Sequence, residues 1–309
     1  MQGRIRWPDG KDFAFTIFDD TDRATLATVK DVYAFLRDCG FRTTKSVWPV
    51  RGPHTPVNGG DTCDDPAYLA WLLTLQSQGF EIGYHMTTYH SSLRDETIAG
   101  LEQFAALFGQ YPVTMANHVG CTENIYWGSA RVSGVHQVLY NLLTRYRHHK
   151  KFRGHIAGDA HFWGDICKAK VKYVRNFVFP EVNTLKACPW MPYHDPQRPF
   201  VRYWYSSSEG ATVTSFNQML AEKNQDRLEE DHGACIMYTH FGAGFYNGQV
   251  DTQFQRLMKR LGKKNGWFVP VATLLDYIVR TRGHHDITTQ ERKRLERKWL
   301  VSKVTIGTT

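Results

Sequence analysis

The sequence predicts an α/β protein folded as a distorted (β/α)7-type barrel, with long loops at the carboxyl-terminal rim of the barrel. Short β-rich runs alternate with longer helical patterns, which is typical of parallel strands joined by crossover helices. About seven such units occur within 309 residues, and a closed barrel accommodates that number more economically than an open sheet. Polar side chains follow several of the strands directly, as they do at the active sites of barrel enzymes.

The strands are predicted from aromatic and β-branched runs that are bounded by turn residues. The first, residues 13–18 (FAFTIF), follows a turn-like Pro-Asp-Gly sequence at 8–10. The other predicted strands lie at 41–47, 80–84, 113–116, 171–178, 200–205, 234–239 and 267–270.

Helices are predicted where apolar residues recur at helical spacing. Residues 25–38 show this pattern, and Gly40 supplies a helix stop. The predicted helix at 131–147 carries Val135, Val138, Leu139 and Leu142 on one face. Other helices are predicted at 66–78, 95–108, 251–264, 271–281 and 288–300, and residues 156–200 are predicted to form long ordered loops around a pocket. Residues 1–285 are therefore expected to form the barrel, and residues 286–309 a peripheral charged helix and tail.

Composition narrows the class of protein. Hydrophobic residues make up 42% of the chain and charged residues 22%, which is ordinary for a soluble globular protein. The net charge of +8 favours anionic partners but is too diffuse to predict nucleic-acid binding. No apolar stretch reaches the roughly 20 residues that cross a bilayer, and the first residues lack a secretory signal. We therefore expect a cytoplasmic protein without an integral membrane segment, and the sequence leaves its oligomeric state open.

Residues able to bind a metal follow four of the predicted strands. Each piece alone also has a structural interpretation: paired aspartates can cap a helix, and loop histidines can simply be hydrogen-bonded. Because the carboxyl ends of barrel strands meet at one rim, their coincidence favours a shared site. The candidates are Asp19, Asp20 and Asp22 after the first strand, His85 and His90 after 80–84, Asn117 and His118 after 113–116, and His240 after 234–239.

These residue types suit metal-assisted hydrolysis. One carboxylate and two imidazoles form a nitrogen and oxygen site for zinc or a similar divalent ion. A second carboxylate can take a proton from water, and a further imidazole can protonate a leaving nitrogen. The set Asp19, Asp20, His85, His90 and His240 supplies all of these groups.

Three segments resemble motifs of polysaccharide deacetylases of the NodB-homology type, also classed as carbohydrate esterase family 4. FTIFDDTD at 15–22 is similar to their TFDD motif, GFEIGYHMTTYHSS at 79–92 to their histidine-pair motif, and GACIMYTHFG at 233–242 to their final motif. The resemblance implies a distorted barrel, a divalent metal that is usually zinc, and removal of acetyl groups from amino sugars. It also implies that Asp19 is the general base, that Asp20, His85 and His90 are metal ligands, and that His240 is the general acid.

The sequence departs from that family pattern at three places. Thr21 and Asp22 follow the two aspartates where a glycine is usual, and MANHVGCTENIYWG at 115–128 replaces the usual third motif. His85 and His90 are five residues apart instead of four, which on a regular helix separates their side chains by about 140°. His118 is therefore the alternative metal ligand.

A carbohydrate substrate is expected because aromatic side chains, on which sugar rings stack, are frequent near the predicted rim. Asn117, Trp127 and Trp163 are the candidate substrate contacts. The basic stretch Arg145–Arg153 is interpreted as a solvated surface or as a contact for a phosphate or uronate group. The predicted function is metal-dependent removal of an N-acyl group, acetyl above all, from an amino sugar or a glycoconjugate precursor. The alternatives are a deformylase or other small-amide hydrolase on the same fold, and a non-catalytic carbohydrate-binding protein.

Overall fold

The computed structural model describes residues 5–56 and 58–306, so the first and last few residues of the predicted barrel and tail lie outside it. Its strands all pair in parallel. They are β1 (Phe13–Asp19), β2 (Thr44–Val47), β3 (Glu81–Tyr84), β4 (Thr114–Met115), β5 (Tyr173–Phe179), β6 (Tyr203–Ser208), β7 (Ala234–Thr239) and β8 (Gly266–Phe268). Strands β1 to β7 close into a seven-stranded barrel because β1 pairs with both β2 and β7, and this confirms the predicted fold class.

Helices cover the outside of the barrel. Among the described residues, none of them combines the length and the apolar composition that a membrane span requires. They are α1 (Leu26–Asp38), α2 (Pro66–Ser77), α3 (Arg94–Phe108), α4 (Gly134–Leu143), α5 (Gly164–Lys170), α6 (Thr184–Ala187), α7 (Val213–Met219), α8 (Glu222–Glu230), α9 (Thr252–Gly262), α10 (Val271–Arg282) and α11 (Thr289–Ile306).

The central strand β1 positions the rim residues of the site. All seven of its residues are buried, in keeping with its aromatic and β-branched sequence. The following helix, α1, begins after Thr25, whose side chain accepts a hydrogen bond from the Thr28 N–H. Its buried side chains, Val29, Val32 and Leu36 among them, hold it against the barrel, so the turn at residues 20–24 is fixed at both ends.

The structure differs from the sequence prediction between residues 131 and 230. Helices α5, α6, α7 and α8 were not predicted, because they are short or, like α8, almost entirely polar. The helix predicted over 131–147 spans only α4. It ends at Leu143, and Arg145 and Tyr146 then adopt positive φ angles of 49° and 58°, which a helix cannot continue.

Helix α11 packs against the barrel. Leu295, Trp299 and Leu300 are buried, and the Trp299 ring lies between Tyr140 and Phe177 with centroid separations of 5.6 and 5.2 Å. The sequence predicts a peripheral helix here, and the boundary at residue 285 stays a prediction. Its tryptophan is nevertheless part of the continuous apolar core.

Candidate metal centre

Three side chains from different strand ends converge at the carboxyl-terminal rim. Asp22 follows β1, His85 directly follows β3, and His118 lies three residues beyond β4. Oδ1 of Asp22 lies 3.1 Å from Nε2 of His85 and 3.1 Å from Nδ1 of His118. The two imidazole nitrogens are themselves 3.3 Å apart. Among the described residues, this is the group of acidic, histidine and cysteine side chains whose ligand atoms lie close enough to share one cation.

The donor set and its spacing fit a divalent metal. Zinc bonds of about 2.0–2.2 Å to nitrogen and oxygen separate neighbouring ligand atoms in a tetrahedral site by about 3.3–3.6 Å. The three separations measured here approach that range. Burial acts to raise the pKa of Asp22, but hydrogen bonds from His118 and His85 outweigh it and hold the pKa well below its usual value. The carboxylate is therefore ionised, as a metal ligand must be.

Packing holds the two imidazoles in place. The buried Trp48 ring lies against both, with centroid separations of 5.4 Å to His118 and 6.0 Å to His85. The Asn124 amide donates a hydrogen bond to the His118 carbonyl at 2.5 Å, which orders the loop that carries this histidine. Supporting contacts of this kind keep ligand atoms directed at a common point.

Asp20 lies beside the three-residue cluster but is held by an arginine. Nη1 and Nη2 of Arg175, on β5, contact its two oxygens at 2.8 and 2.5 Å, and both side chains are buried. Oδ2 of Asp20 lies 3.9 Å from Nε2 of His85. Burial acts to raise the pKa of Asp20, but the Arg175 guanidinium outweighs it, so the pKa lies below its usual value. The ionised carboxylate therefore lies next to the cluster, with Arg175 as its charge partner.

Asp19 forms a different set of contacts, one of them with Tyr33 on the covering helix α1. Its Oδ2 lies 3.0 Å from Nζ of the fully buried Lys45 and accepts a hydrogen bond from the Tyr33 hydroxyl at 3.0 Å. Its Oδ1 accepts a hydrogen bond from the Phe241 N–H at 2.8 Å. Burial raises the pKa of Asp19, and the Lys45 ammonium acts in the opposite direction. This carboxylate therefore ties β1 to β2 and to the segment after β7.

His240, the residue after β7, presents one ring nitrogen to the cluster. Its Nδ1 lies 2.9 Å from the Ala211 carbonyl, which can only accept, so Nδ1 carries a proton. Its Nε2 lies 4.0 Å from Oδ2 of Asp22 and 3.4 Å from the Tyr238 hydroxyl. The side chain is 18% exposed, and the ring can therefore exchange a proton at Nε2 with a molecule bound at the rim.

The structure does not bring His90 to this cluster. Its Nε2 contacts the His54 carbonyl at 2.7 Å, and its ring packs against Tyr89 and His54. The loop after β3 is irregular, with φ of 69° at Met86, and it directs His85 and His90 to different neighbours. His118, the alternative ligand predicted from the sequence, occupies the place beside His85.

The three candidate substrate contacts are packed within the protein. The Asn117 amide bonds to the backbone N–H and carbonyl of Ile125, and the Trp163 ring is completely buried, with its N–H donating to the Glu123 carbonyl at 2.6 Å. Trp127 is 7% exposed, and the Arg131 guanidinium lies 3.1 Å from the centre of its ring. These contacts shape the β4–β5 connection, and none of the three rings or amides faces solvent.

The sequence names Asp22 among the candidates but gives it no role, and it does not single out Arg175. Asp22 is the third acid in the run Asp-Asp-Thr-Asp, and the five-residue spacing of His85 and His90 was the available signal that a different carboxylate and histidine lie together. Arg175 stands in the middle of the apolar strand YVRNFVF, where a charge requires a buried partner of opposite sign.

Known proteins resemble this chain in fold and not in sequence. No family model matches the sequence, and no curated protein matches it. Solved structures do share the fold, and the barrel is of the kind found in polysaccharide deacetylases, so the resemblance is confirmed at the level of the fold.

Three solved structures match along most of their length. A putative polysaccharide deacetylase from Mycobacterium smegmatis has 10% identity and a TM-score of 0.50, with 93% of this chain and 96% of that chain covered. A probable polysaccharide deacetylase from Pseudomonas aeruginosa PAO1 has 10% identity and a TM-score of 0.51, with 90% and 94% covered. PuuE allantoinase has 8% identity and a TM-score of 0.53, also with 90% and 94% covered.

Proposed function

We propose that this protein is a metal-dependent hydrolase that removes an acyl group, acetyl above all, from an amino sugar of a polysaccharide or glycoconjugate precursor. The observation that carries the proposal is the convergence of Asp22, His85 and His118 on one point of the rim, beside Asp20 and His240. The substrate class is taken from the solved polysaccharide deacetylases that share the fold.

Asp22, His85 and His118 are the proposed metal ligands. A divalent ion bound there, zinc above all, would supply Lewis acidity to polarise an acyl carbonyl and to lower the pKa of water. This set keeps one of the three ligands that the resemblance implies, His85, and His118, the alternative ligand, takes the place of His90. Asp22 takes the place of Asp20 as the carboxylate ligand, because Oδ1 of Asp22 lies 3.1 Å from both histidine nitrogens, whereas Oδ2 of Asp20 lies 3.9 Å from Nε2 of His85.

Asp20 is the proposed general base. The Arg175 contact keeps its carboxylate ionised, and its Oδ2 is 3.9 Å from the nearest proposed ligand atom, so it can receive a proton from water at the rim. Asp19, the base that the resemblance implies, is less suited to this role. Its oxygens are engaged by Lys45 and Tyr33, and it has no exposed surface.

His240 is the proposed general acid. Hydrogen bonding at Nδ1 leaves Nε2 to hold the second proton of the imidazolium. As water adds to the acyl carbon, Asp20 takes its proton. When the carbon–nitrogen bond then breaks, the His240 proton passes to the departing amine, and the products are a carboxylate and an amine.

Purified protein tests the proposal. Zinc-loaded protein should release acetate from N-acetylated oligosaccharides, and a chelator should abolish release until zinc is restored. Formyl and small cyclic amide substrates in the same screen distinguish the alternative hydrolase activities. Glycan binding by metal-free protein, with no acyl release from any substrate, would instead support the non-catalytic carbohydrate-binding alternative.

A further inference from the structure

The apolar side of helix α4 faces solvent. Its valines and leucines lie at positions i, i+3, i+4, i+7 and i+8, which form one stripe on a helix. The opposite side, with Tyr140 and Asn141, is buried against the protein. The stripe, here called the α4 face, consists of side chains that are 47–68% exposed: Val135, Val138, Leu139, Leu142 and Leu143. A surface helix normally turns such a stripe toward the core, so this one is available to a partner.

A basic segment follows the α4 face in the chain. Residues 124–158 contain six lysines and arginines and no aspartate or glutamate. Arg145, Arg147, Lys150 and Lys151 follow the helix directly and are exposed. This basic segment is the stretch that the sequence analysis left as a solvated surface or an anion contact.

A cavity of about 390 Å³ lies at the junction of the apolar and basic surfaces. Arg145, Arg147, His148 and Lys303 line it together with Leu143, and none of its described lining residues is acidic. Partial burial lowers the pKa of His148, and the nearby Lys151 and Lys303 lower it further. The exposed cations Arg145 and Arg147 therefore favour an anionic group, such as a phosphate, at this cavity.

The combination of an apolar stripe and flanking cations fits a membrane surface better than a protein partner. Helices that lie in the plane of a bilayer interface place apolar side chains in the acyl boundary and Lys or Arg at the headgroups. Here α4 supplies the apolar side chains, and the segment that follows it supplies the cations. Energetic centres of protein interfaces are instead enriched in Trp, Tyr and Arg, and Leu and Val are under-represented there. Tyr146, which is 53% exposed at the end of the stripe, is of the type found at headgroup level.

We propose that the α4 face docks this protein on a membrane surface that contains anionic lipid. The stripe enters the interface, and the basic segment and the cavity contact lipid phosphates. Helix α4 and His118 both belong to the connection between β4 and β5. Membrane docking by the α4 face nevertheless does not require that the protein is a hydrolase.

Binding of the full-length protein to sedimented vesicles tests this inference. Vesicles of phosphatidylcholine with phosphatidylglycerol should bind the protein more tightly than vesicles of phosphatidylcholine alone, and added salt should weaken that preference. The double variant Leu139→Glu with Leu142→Glu should lower the partition coefficient by at least about tenfold, because it places two carboxylates in the stripe. Arg145→Gln with Arg147→Gln should lower binding to the anionic vesicles by about fivefold for each arginine removed. Binding to vesicles of phosphatidylcholine alone should not change.

Leu73→Glu is the matched control, since Leu73 is a single exposed leucine on α2, and it should bind as the unaltered protein does. Circular dichroism of each variant checks the fold, which should be unchanged because the substituted side chains are exposed. Equal binding by the unaltered protein and the stripe variant would overturn the proposal. The proposal would also be overturned if the unaltered protein bound no vesicles and formed a dimer, and if the stripe variant were monomeric. The α4 face would then join two copies of the chain.

Discussion

Nε2 of His85 and Nδ1 of His118 lie 3.3 Å apart, although the two histidines are 33 positions apart in sequence and leave different strands. Neutral imidazoles at this distance can share one proton, yet both nitrogens also face Oδ1 of Asp22 at 3.1 Å. Three ligand atoms directed at one point are a common arrangement for binding a cation.

The two neighbouring aspartates should respond differently to the same substitution. Asp20→Asn should lower kcat by about 10²–10⁴-fold, the range that general-base catalysis contributes, while metal content is retained. Asp19→Asn should leave kcat per folded molecule within about tenfold. It should instead cost about 3–5 kcal/mol in the free energy of unfolding, because the buried Lys45 loses its anionic partner.

Both variants can lose stability, since Arg175 also loses a charged partner in Asp20→Asn. Turnover is therefore measured on the folded fraction, which urea denaturation determines at the assay temperature. A large loss of kcat in Asp19→Asn with little loss in Asp20→Asn would contradict the assignment of Asp20 as base and support the family-derived role of Asp19.

Glu123 should make stability depend on pH. Burial raises its pKa to about 7, so between about pH 4.5 and 7 the folded protein holds a proton that the unfolded chain has released. Stability therefore falls as pH rises through this window and stays lower above it, by about 3 kcal/mol in total.

Glu123→Gln cannot ionise and should lose this part of the pH dependence. Thermal unfolding measures the Tm of the variant minus the Tm of the unaltered protein. This difference should be larger at pH 8 than at pH 5. The same difference in Tm at both pH values would show that Glu123 is not protonated in the folded protein.

Trp299 should be among the largest single contributors to stability in α11. Truncating this fully buried ring removes its packing on Tyr140 and Phe177, and Trp299→Ala should cost about 3–5 kcal/mol in urea denaturation. Val301→Ala, at an exposed position two residues away, should change stability by less than about 0.5 kcal/mol. Equal effects of the two substitutions would instead agree with the peripheral helix that the sequence predicts.

The barrel and the strand ends were predictable from sequence because both depend on local patterns. The aromatic run of β1 and the polar residues after it are adjacent in the chain, and parallel pairing then brings such ends together. The choice of His118 over His90 depends on the path of two loops, which local spacing does not encode. The partner of Asp20 is Arg175, 155 positions away, and such a pair is visible only in three dimensions.

The sequence also did not predict whether the apolar face of α4 points to the barrel or to solvent. Helical periodicity groups Val135, Val138, Leu139 and Leu142 on one side, but it does not say which side meets the barrel. The structure buries Tyr140 and Asn141 instead, and this leaves the apolar stripe at the surface.

Metal affinity in paired histidine variants tests the central claim most directly. Zinc binding to metal-free protein is measured by titration for the unaltered chain, His118→Ala and His90→Ala. His118→Ala should lower the zinc affinity by at least about a hundredfold, because a ligand is lost, while His90→Ala should bind zinc as the unaltered protein does. Weakened binding in His90→Ala together with unchanged binding in His118→Ala would contradict the centre formed by Asp22, His85 and His118.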